Sequence, residues 1–206
     1  MTQTTPAKSL LDYARNVYSQ HGEDGIIERI IQTLPEDNKW CVEFGAWDGL
    51  HLTNTRYLIE SHGFSAVLIE ASSKKYLDLQ KNYAGKPHVI PVNCFVGFEV
   101  HDGLDTILKK TPIPKDFAVL SIDIDGNDYH VWKAIEHYRP KVVVIEFNPT
   151  FPVGVDYIQP ADPSINHGSS LSAIVKLGLE KGYELIAVNA LNGAFLSGRN
   201  SIRSSI

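Results

Sequence analysis

Trp40-Cys41-Val42-Glu43-Phe44-Gly45-Ala46-Trp47-Asp48-Gly49 starts as a short apolar run and ends in a glycine turn that carries a carboxylate. An apolar run followed at once by glycine reads as a buried strand feeding a tight turn. Thr53 and Asn54 are good helix N-cap residues, and Tyr57, Leu58 and Ile59 supply an apolar helical face. The unit is therefore strand, glycine turn, helix. Glycine lets the backbone approach a ligand, and a helix N-terminus adds partial positive charge. A βα turn with no ligand has the same local pattern, so the polar groups elsewhere in the chain must discriminate.

The same pattern repeats downstream. Ser65 to Glu70 reads as a second strand ending in a carboxylate, with Ser72 and Ser73 capping the next helix. Val89 to Asn93 reads as a third strand, placed at or near the sheet edge by Pro91. A short helix from Leu104 to Lys110 leads to a fourth strand from Phe117 to Asp123. The turn Asp125-Gly126-Asn127-Asp128 and a helix from Tyr129 to Tyr138 follow. Lys141 to Phe147 is β-branched at its centre, as a strand buried on both faces requires. Residues 148–168 are rich in Pro, Gly and Asn and read as a long functional loop. A helix from Ser170 to Lys181, ended by Gly182, precedes a hairpin turning at Asn192-Gly193. Upstream, Ser9 to Tyr18 reads as a short helix. Ser19 reads as the cap of a second one, with Glu23 and Asp24 facing its dipole. Alternating strands and helices imply a parallel sheet covered on both faces, with ligands bound beyond the carboxyl ends of its strands.

Composition narrows the function classes. The chain has 206 residues, 43% hydrophobic and 21% charged, which suits one domain over residues 1–206. Residues 1–7 are expected to be disordered and 8–36 to form an N-terminal helical extension. A net charge of −5 lacks the basic footprint of a nucleic-acid binder. No apolar run approaches the ~18–20 residues that span a bilayer, and no signal-peptide pattern opens the chain. Cys41 and Cys94 lie in apolar contexts as free thiols, which fits the cytoplasm and not a metal site. A homodimer is compatible with this composition.

The strand ends carry the candidate chemistry. Glu43 and Glu70 close the first two strands, and a carboxylate at the second can accept two ribose hydroxyls. Gly45 and Gly49, with Trp47 between them, lack the Gly-x-Gly-x-x-Gly spacing that admits a pyrophosphate. Glu43 and Asp48 oppose a diphosphate as well. A nucleoside with a cationic group, such as S-adenosylmethionine, fits better. Asn93 can reach the adenine edge, and Trp47 or Tyr18 can face the sulfonium; Phe44 reads as core. Asp123 and Asp125 share a face if their strand persists, as do Glu146 and Asn148. Convergent oxygens of this kind suit Mg²⁺, with Asp123, Asp125 and Glu146 as ligands, or a general base with its orienting partners, or turn hydrogen bonds. Asn127 and Asp128 can equally be helix cap and first-turn acid, and His130 surface. His167 either caps a helix or faces substrate.

Ser19-Gln20-His21-Gly22-Glu23-Asp24, the loop Val42 to Gly49, Leu68-Ile69-Glu70 and Ser121 to Asp128 together resemble the class I S-adenosylmethionine-dependent methyltransferases of FkbM-like type. The resemblance runs from about Tyr18 to Leu196. It implies an α/β three-layer sandwich, a Rossmann-like, mostly parallel seven-stranded sheet with an antiparallel last strand. It implies O-methylation of a sugar or similar small metabolite. The cofactor contacts would be Glu43, Gly45, Trp47, Gly49, Glu70, Asn93 and Asp123. The catalytic groups would be Asp123, Asp125 and His167, with Gln20, His21, Glu146 and Asn148 toward the acceptor. Two departures stand out: Trp47 replaces a common glycine, and Asp125-Gly126-Asn127-Asp128 replaces Glu-Gly and an apolar residue. N-methylation of a small amine, a nucleotide-dependent oxidoreductase, and a binding module without catalysis are the rival expectations.

Overall fold

In the computed structural model, residues 8–35 and 38–198 are described; the expectation of disorder at 1–7 falls outside them. The strands are β1 Trp40–Phe44, β2 Ser65–Glu70, β3 Val89–Asn93, β4 Val119–Ile122, β5 Val142–Glu146, β6 Tyr183–Val188 and β7 Asn192–Ser197. The helices are α1 Glu23–Ile31, α2 Arg56–His62, α3 Ser73–Asn82, α4 Leu104–Leu108, α5 Asp128–Ala134 and α6 Leu171–Glu180. The seven strands form one sheet in the order β3-β2-β1-β4-β5-β7-β6. β1 pairs in parallel with β2 and β4, and those in turn with β3 and β5. The last strand, β7, runs antiparallel to both β5 and β6. This is the seven-stranded α/β sheet expected, with Pro91 on an edge strand.

Strand alternation divides the core in two. Val42, Phe44, Val67, Ile69, Leu120, Ile122, Val143 and Ile145 face one side, against α4, α5 and α6. Cys41, Ala66, Leu68, Val119, Val142 and Val144 face the other, against α1, α2 and α3. The first side holds the largest buried side chain, Trp132, packed on Phe195 and Tyr183 with ring centroids 5.0 and 5.7 Å away. Such aromatic clusters add about 0.5–1.5 kcal/mol per pair beyond area burial. The strand order reverses between β1 and β4, and crossovers leave in opposite directions there. That opens a crevice at their carboxyl ends.

Several elements differ from expectation. The region Ser9 to Tyr18 holds a 3₁₀ turn, Leu10–Tyr13, capped by Ser9, and then non-helical chain. Ser19 does not cap α1: Gly22 does, in the left-handed region, with no side-chain bond. Instead Asp24 Oδ2 accepts the N–H groups of Val17, Tyr18 and Ser19 at 2.7, 2.7 and 2.9 Å. Glu23 Oε2 accepts from His21 N, while its Oε1 accepts from Asn189 and Asn192 side chains. The acid pair thus ties the Tyr18–Gly22 loop to the β6–β7 end of the sheet, which a dipole argument does not foresee. The hairpin turns at 189–191, ahead of Asn192-Gly193. Asn189 Oδ1 accepts from Leu191 and Asn192 N–H, so an Asx turn at 189–191 closes it and both predicted turn residues join β7.

Residues 148–168 carry no helix or strand, yet Gln159 organises them. Its side chain is fully buried. Oε1 accepts from His167 and Gly168 N–H at 2.7 and 2.8 Å, and Nε2 donates to the Ile165 carbonyl at 2.8 Å. His130 is not plain surface: its Nε2 lies 2.6 Å from the Gln159 carbonyl oxygen. The loop is a fixed strap lying over the start of α5.

Candidate functional site

At Gly45 the chain leaves β1 with φ 77, and a Cβ there would stand 2.0 Å from the Asp123 carbonyl oxygen. Glycine alone lets the ends of β1 and β4 meet. Trp47 follows at φ 49, a conformation that costs a bulky residue about 1–3 kcal/mol. Its N–H donates to Glu70 Oε2 at 2.8 Å, and Ser72 N–H donates to Oε1 at 2.6 Å. With one backbone bond on each oxygen, the Glu70 carboxylate retains lone pairs for a ligand.

Glu70, Gly45, Trp47, Gln20, Asp123 and Asp125 share the wall of a cleft of about 490 Å³. Cys94, Phe95, Val96 and Ala71 give it one apolar end. Among the described residues, three carboxylates line it and no lysine or arginine does. Lys75 stays outside, its Nζ 4.3 Å over the Trp47 ring.

Asp123, Asp125 and Glu146 converge, each with a carboxylate oxygen within 4.8 Å of the others. Strand alternation does not bring them together, because β4 ends at Ile122 and Asp125 sits at φ 57. The loop is folded by Asp128 instead. This buried carboxylate accepts from Ile124 N–H and Gly126 N–H at 3.0 and 2.9 Å. Asn127 precedes α5 but makes no capping bond. Burial, then the charges of Asp128, Glu43 and Asp125, push Asp123 up to about 7. Burial, then Asp123, Asp128 and Asp125, push Glu146 up to about 8, and the two carboxyls hydrogen-bond each other. Like charges at this range raise the proton affinity of the pair as a unit.

Other expected contacts have different tasks. Glu43 does not line the cleft. It is buried beneath the glycine turn, accepting from Thr53 Oγ1, Thr55 Oγ1 and Asn54 N–H. Thr53 Oγ1 also accepts from Thr55 and Arg56 N–H at 3.3 Å, so Thr53 both braces the loop and caps the start of α2, while Asn54 braces the loop and Thr55 occupies the N-cap position. Gly49 faces α3: a Cβ would stand 2.5 Å from the Tyr83 ring and 2.6 Å from Leu79. Asn93 Nδ2 donates to the Glu70 and Ala71 carbonyls and its Oδ1 accepts from the Ser73 hydroxyl, which fastens the β2–α3 turn. His21 is outside the cleft lining, and the Tyr18 ring is covered by the Arg56 guanidinium at 3.9 Å. Phe44 is fully buried core.

A smaller pocket of about 150 Å³ adjoins the acid cluster, lined by Asp125, Glu146, Asn148, Asn166 and His167. Asp125 and Asn166 belong to both cavities. Asn148 places the strap there: its Nδ2 donates to the His167 carbonyl at 2.6 Å, while its Oδ1 accepts from Thr150. An engineered cavity of this volume holds benzene, so the pocket admits about one six-membered ring. The sequence offered Asn127 as a helix cap and Cys94 as a buried thiol, and it is their place in the cleft wall that was missed. Cys94 follows Asn93 at a strand end and was within reach of the strand-end rule; Gln159 and Asn166 were not singled out and carry no periodic or motif signal.

No protein-family model matches the chain, and no curated protein matches it in sequence. Solved structures do match in fold. The N-terminal domain of EvdMO1, crystallised with S-adenosylhomocysteine and D-fucose, aligns with TM-score 0.51 at 10% identity, over 85% of this chain and 82% of that one. The CMeT domain of the citrinin polyketide synthase aligns with TM-score 0.54 at 14% identity, over 84% of this chain and 50% of that one. The chain is similar to both in its α/β fold. No helix among the described residues is long and apolar enough to cross a membrane.

Two outcomes follow from these contacts. Glu43→Ala strands two hydroxyls and an N–H, at about 1–3 kcal/mol for each group left unpaired. Urea denaturation should therefore show a far larger stability loss for Glu43→Ala than for Glu70→Ala. Asp123 and Glu146 have folded pKa values above their ordinary 3.8 and 4.5. The folded state then binds more protons than the unfolded one between about pH 4 and 8, so stability falls as pH rises through that window. Melting temperatures across it should decline in the wild type, and Asp123→Asn should flatten the decline.

Proposed function

We propose that the protein transfers the methyl group of S-adenosylmethionine to a hydroxyl of a small polar acceptor, a sugar or related metabolite. The observation that carries this is the charge of the cleft: three carboxylates and no lysine or arginine among the described residues. Such a wall repels a pyrophosphate and favours a nucleoside bearing positive charge. Glu70 accepts the ribose hydroxyls with its spare lone pairs, and the apolar end formed by Cys94, Phe95 and Val96 takes the base. When bound, the sulfonium supplies an electrophilic methyl group, lost to the acceptor oxygen as the carbon–sulfur bond breaks. The D-fucose in the EvdMO1 crystal supports a sugar-sized acceptor, and the 150 Å³ pocket has room for one ring.

A hydroxyl needs its proton removed as it attacks. Glu146 and Asp125 line the acceptor pocket, so the Asp123–Glu146 pair with Asp125 beside it takes that proton. His167 and Asn148 shape the outer wall. The same three carboxylates fit a divalent cation by type and spacing, since hard cations take oxygen ligands. Bound there, Mg²⁺ would offset their repulsion and polarise the hydroxyl. An amine acceptor also suits this acidic wall and needs less help with its proton.

Calorimetry should show binding of S-adenosylmethionine and none of NAD. Glu70→Ala should weaken the first at least tenfold, given about 1.5–3 kcal/mol for hydrogen bonds to a charged group. NAD binding with no response to S-adenosylmethionine would overturn the proposal. In a screen of sugar and amine acceptors, loss of turnover with EDTA and recovery with Mg²⁺ would assign the cation; turnover unaffected by EDTA would leave the proton to the carboxylates.

A further inference from the structure

Resting on the donor just proposed, we infer that the acid wall of Asp123, Asp125 and Glu146 selects the charged donor over its neutral product, so that the cleft binds S-adenosylmethionine more tightly than S-adenosylhomocysteine. The two ligands share base, ribose, amino and carboxyl groups. They differ in a methyl group and in one positive charge on sulfur. Discrimination must therefore come from groups that sense that charge.

The structure concentrates such groups at one place. Glu70 fixes one end of the cleft and Gly45 opens onto Asp123 at the other. Around Asp123 stand Asp125 and the buried Asp128 on its own loop, Glu43 beneath it from β1 and Glu146 from β5. The cations nearby are not among the lining residues: Lys75 lies over the Trp47 ring at the cleft wall, Arg56 over Tyr18. His51 is exposed at the rim, with Nδ1 2.6 Å from Asp48. A second observation points the same way. Asn127 is 7% exposed and lines the cleft, and its Oδ1 has no hydrogen-bond partner. That buried, unpaired acceptor adds its partial negative charge to the field of the carboxylates beside it. Methyl transfer removes that positive charge from the donor, so the reaction itself weakens the attraction and releases the product.

The test is calorimetry in EDTA at constant pH with S-adenosylmethionine, S-adenosylhomocysteine and sinefungin, which carries an amine near the sulfonium position. The first and third should bind at least about tenfold more tightly than S-adenosylhomocysteine, in line with a unit charge near a partly buried carboxylate. Asp123→Asn and Glu146→Gln should each bring the three affinities toward parity mainly by weakening the two cations. Added salt should reduce the preference only in part, because Asp123 and Glu146 are partly buried while Asp125 is exposed. Equal wild-type affinities, or tighter binding of S-adenosylhomocysteine, would overturn the inference and leave the donor assignment intact. Binding of none of the three would overturn both. If either variant fails to fold, the wild-type comparison of the three ligands decides the matter alone.

Discussion

The closure of Gly45 onto the Asp123 carbonyl is the contact on which the site depends. It joins the two strand ends at which the sheet order reverses. Were β1 and β4 held a side chain apart, Glu70 and the acid cluster would open onto different surfaces. The closure needs more than glycine. Glu43 pins Thr53, Asn54 and Thr55 beneath the turn, and Glu70 pins Trp47 above it. Two acids that look alike in the sequence therefore divide the work: one holds the loop from the core side, the other presents its free lone pairs to the cleft.

That division marks the boundary of what the sequence could reveal. Strand alternation, glycine turns and helix periodicity report which side of an element is apolar. They placed all seven strands and, with Pro91, an edge. They also brought Glu70, Asp123, Asp125 and Glu146 to strand ends. They do not report which polar neighbour takes a buried carboxylate, because that partner can come from anywhere in the chain. Glu43 was read as a ligand contact for this reason, and Asn93 too, although its amide is spent on the β2–α3 turn. Asp123 and Asp125 were paired by an alternation that their backbone does not follow. They meet because Asp128 folds the loop, a local hydrogen-bond pattern with no period to detect.

The strap at 148–168 shows the same limit more sharply. Its composition marks a loop, and its length marks a functional one. Its shape comes from one buried glutamine, whose amide replaces the ladder of bonds that a helix or strand would supply. Nothing in the residues around Gln159 distinguishes it from a surface glutamine. Its consequence is large, since it fixes His167 and Gly168 beside the Asn148 anchor and so shapes the smaller cavity.

The cost of the acid wall bears on its purpose. Burying Asp123, Glu146 and Asp128 together raises the proton affinity of all three, so the folded chain carries repulsion that an apolar wall would avoid. A purely structural role is served by Asp128, whose carboxylate is spent on two backbone N–H groups. Asp128 lines the smaller cavity as well; what sets Asp123, Asp125 and Glu146 apart is that an oxygen of each converges on one point between the two cavities. Perturbed acids that line cavities and do not brace the chain are characteristic of sites where charge moves. Methyl transfer to a hydroxyl has that character: the donor loses a positive charge and the wall gains the acceptor's proton, so the total charge in the crevice stays constant throughout. A cleft of low polarizability favours such a reaction, because no step asks it to hold more charge than it already contains.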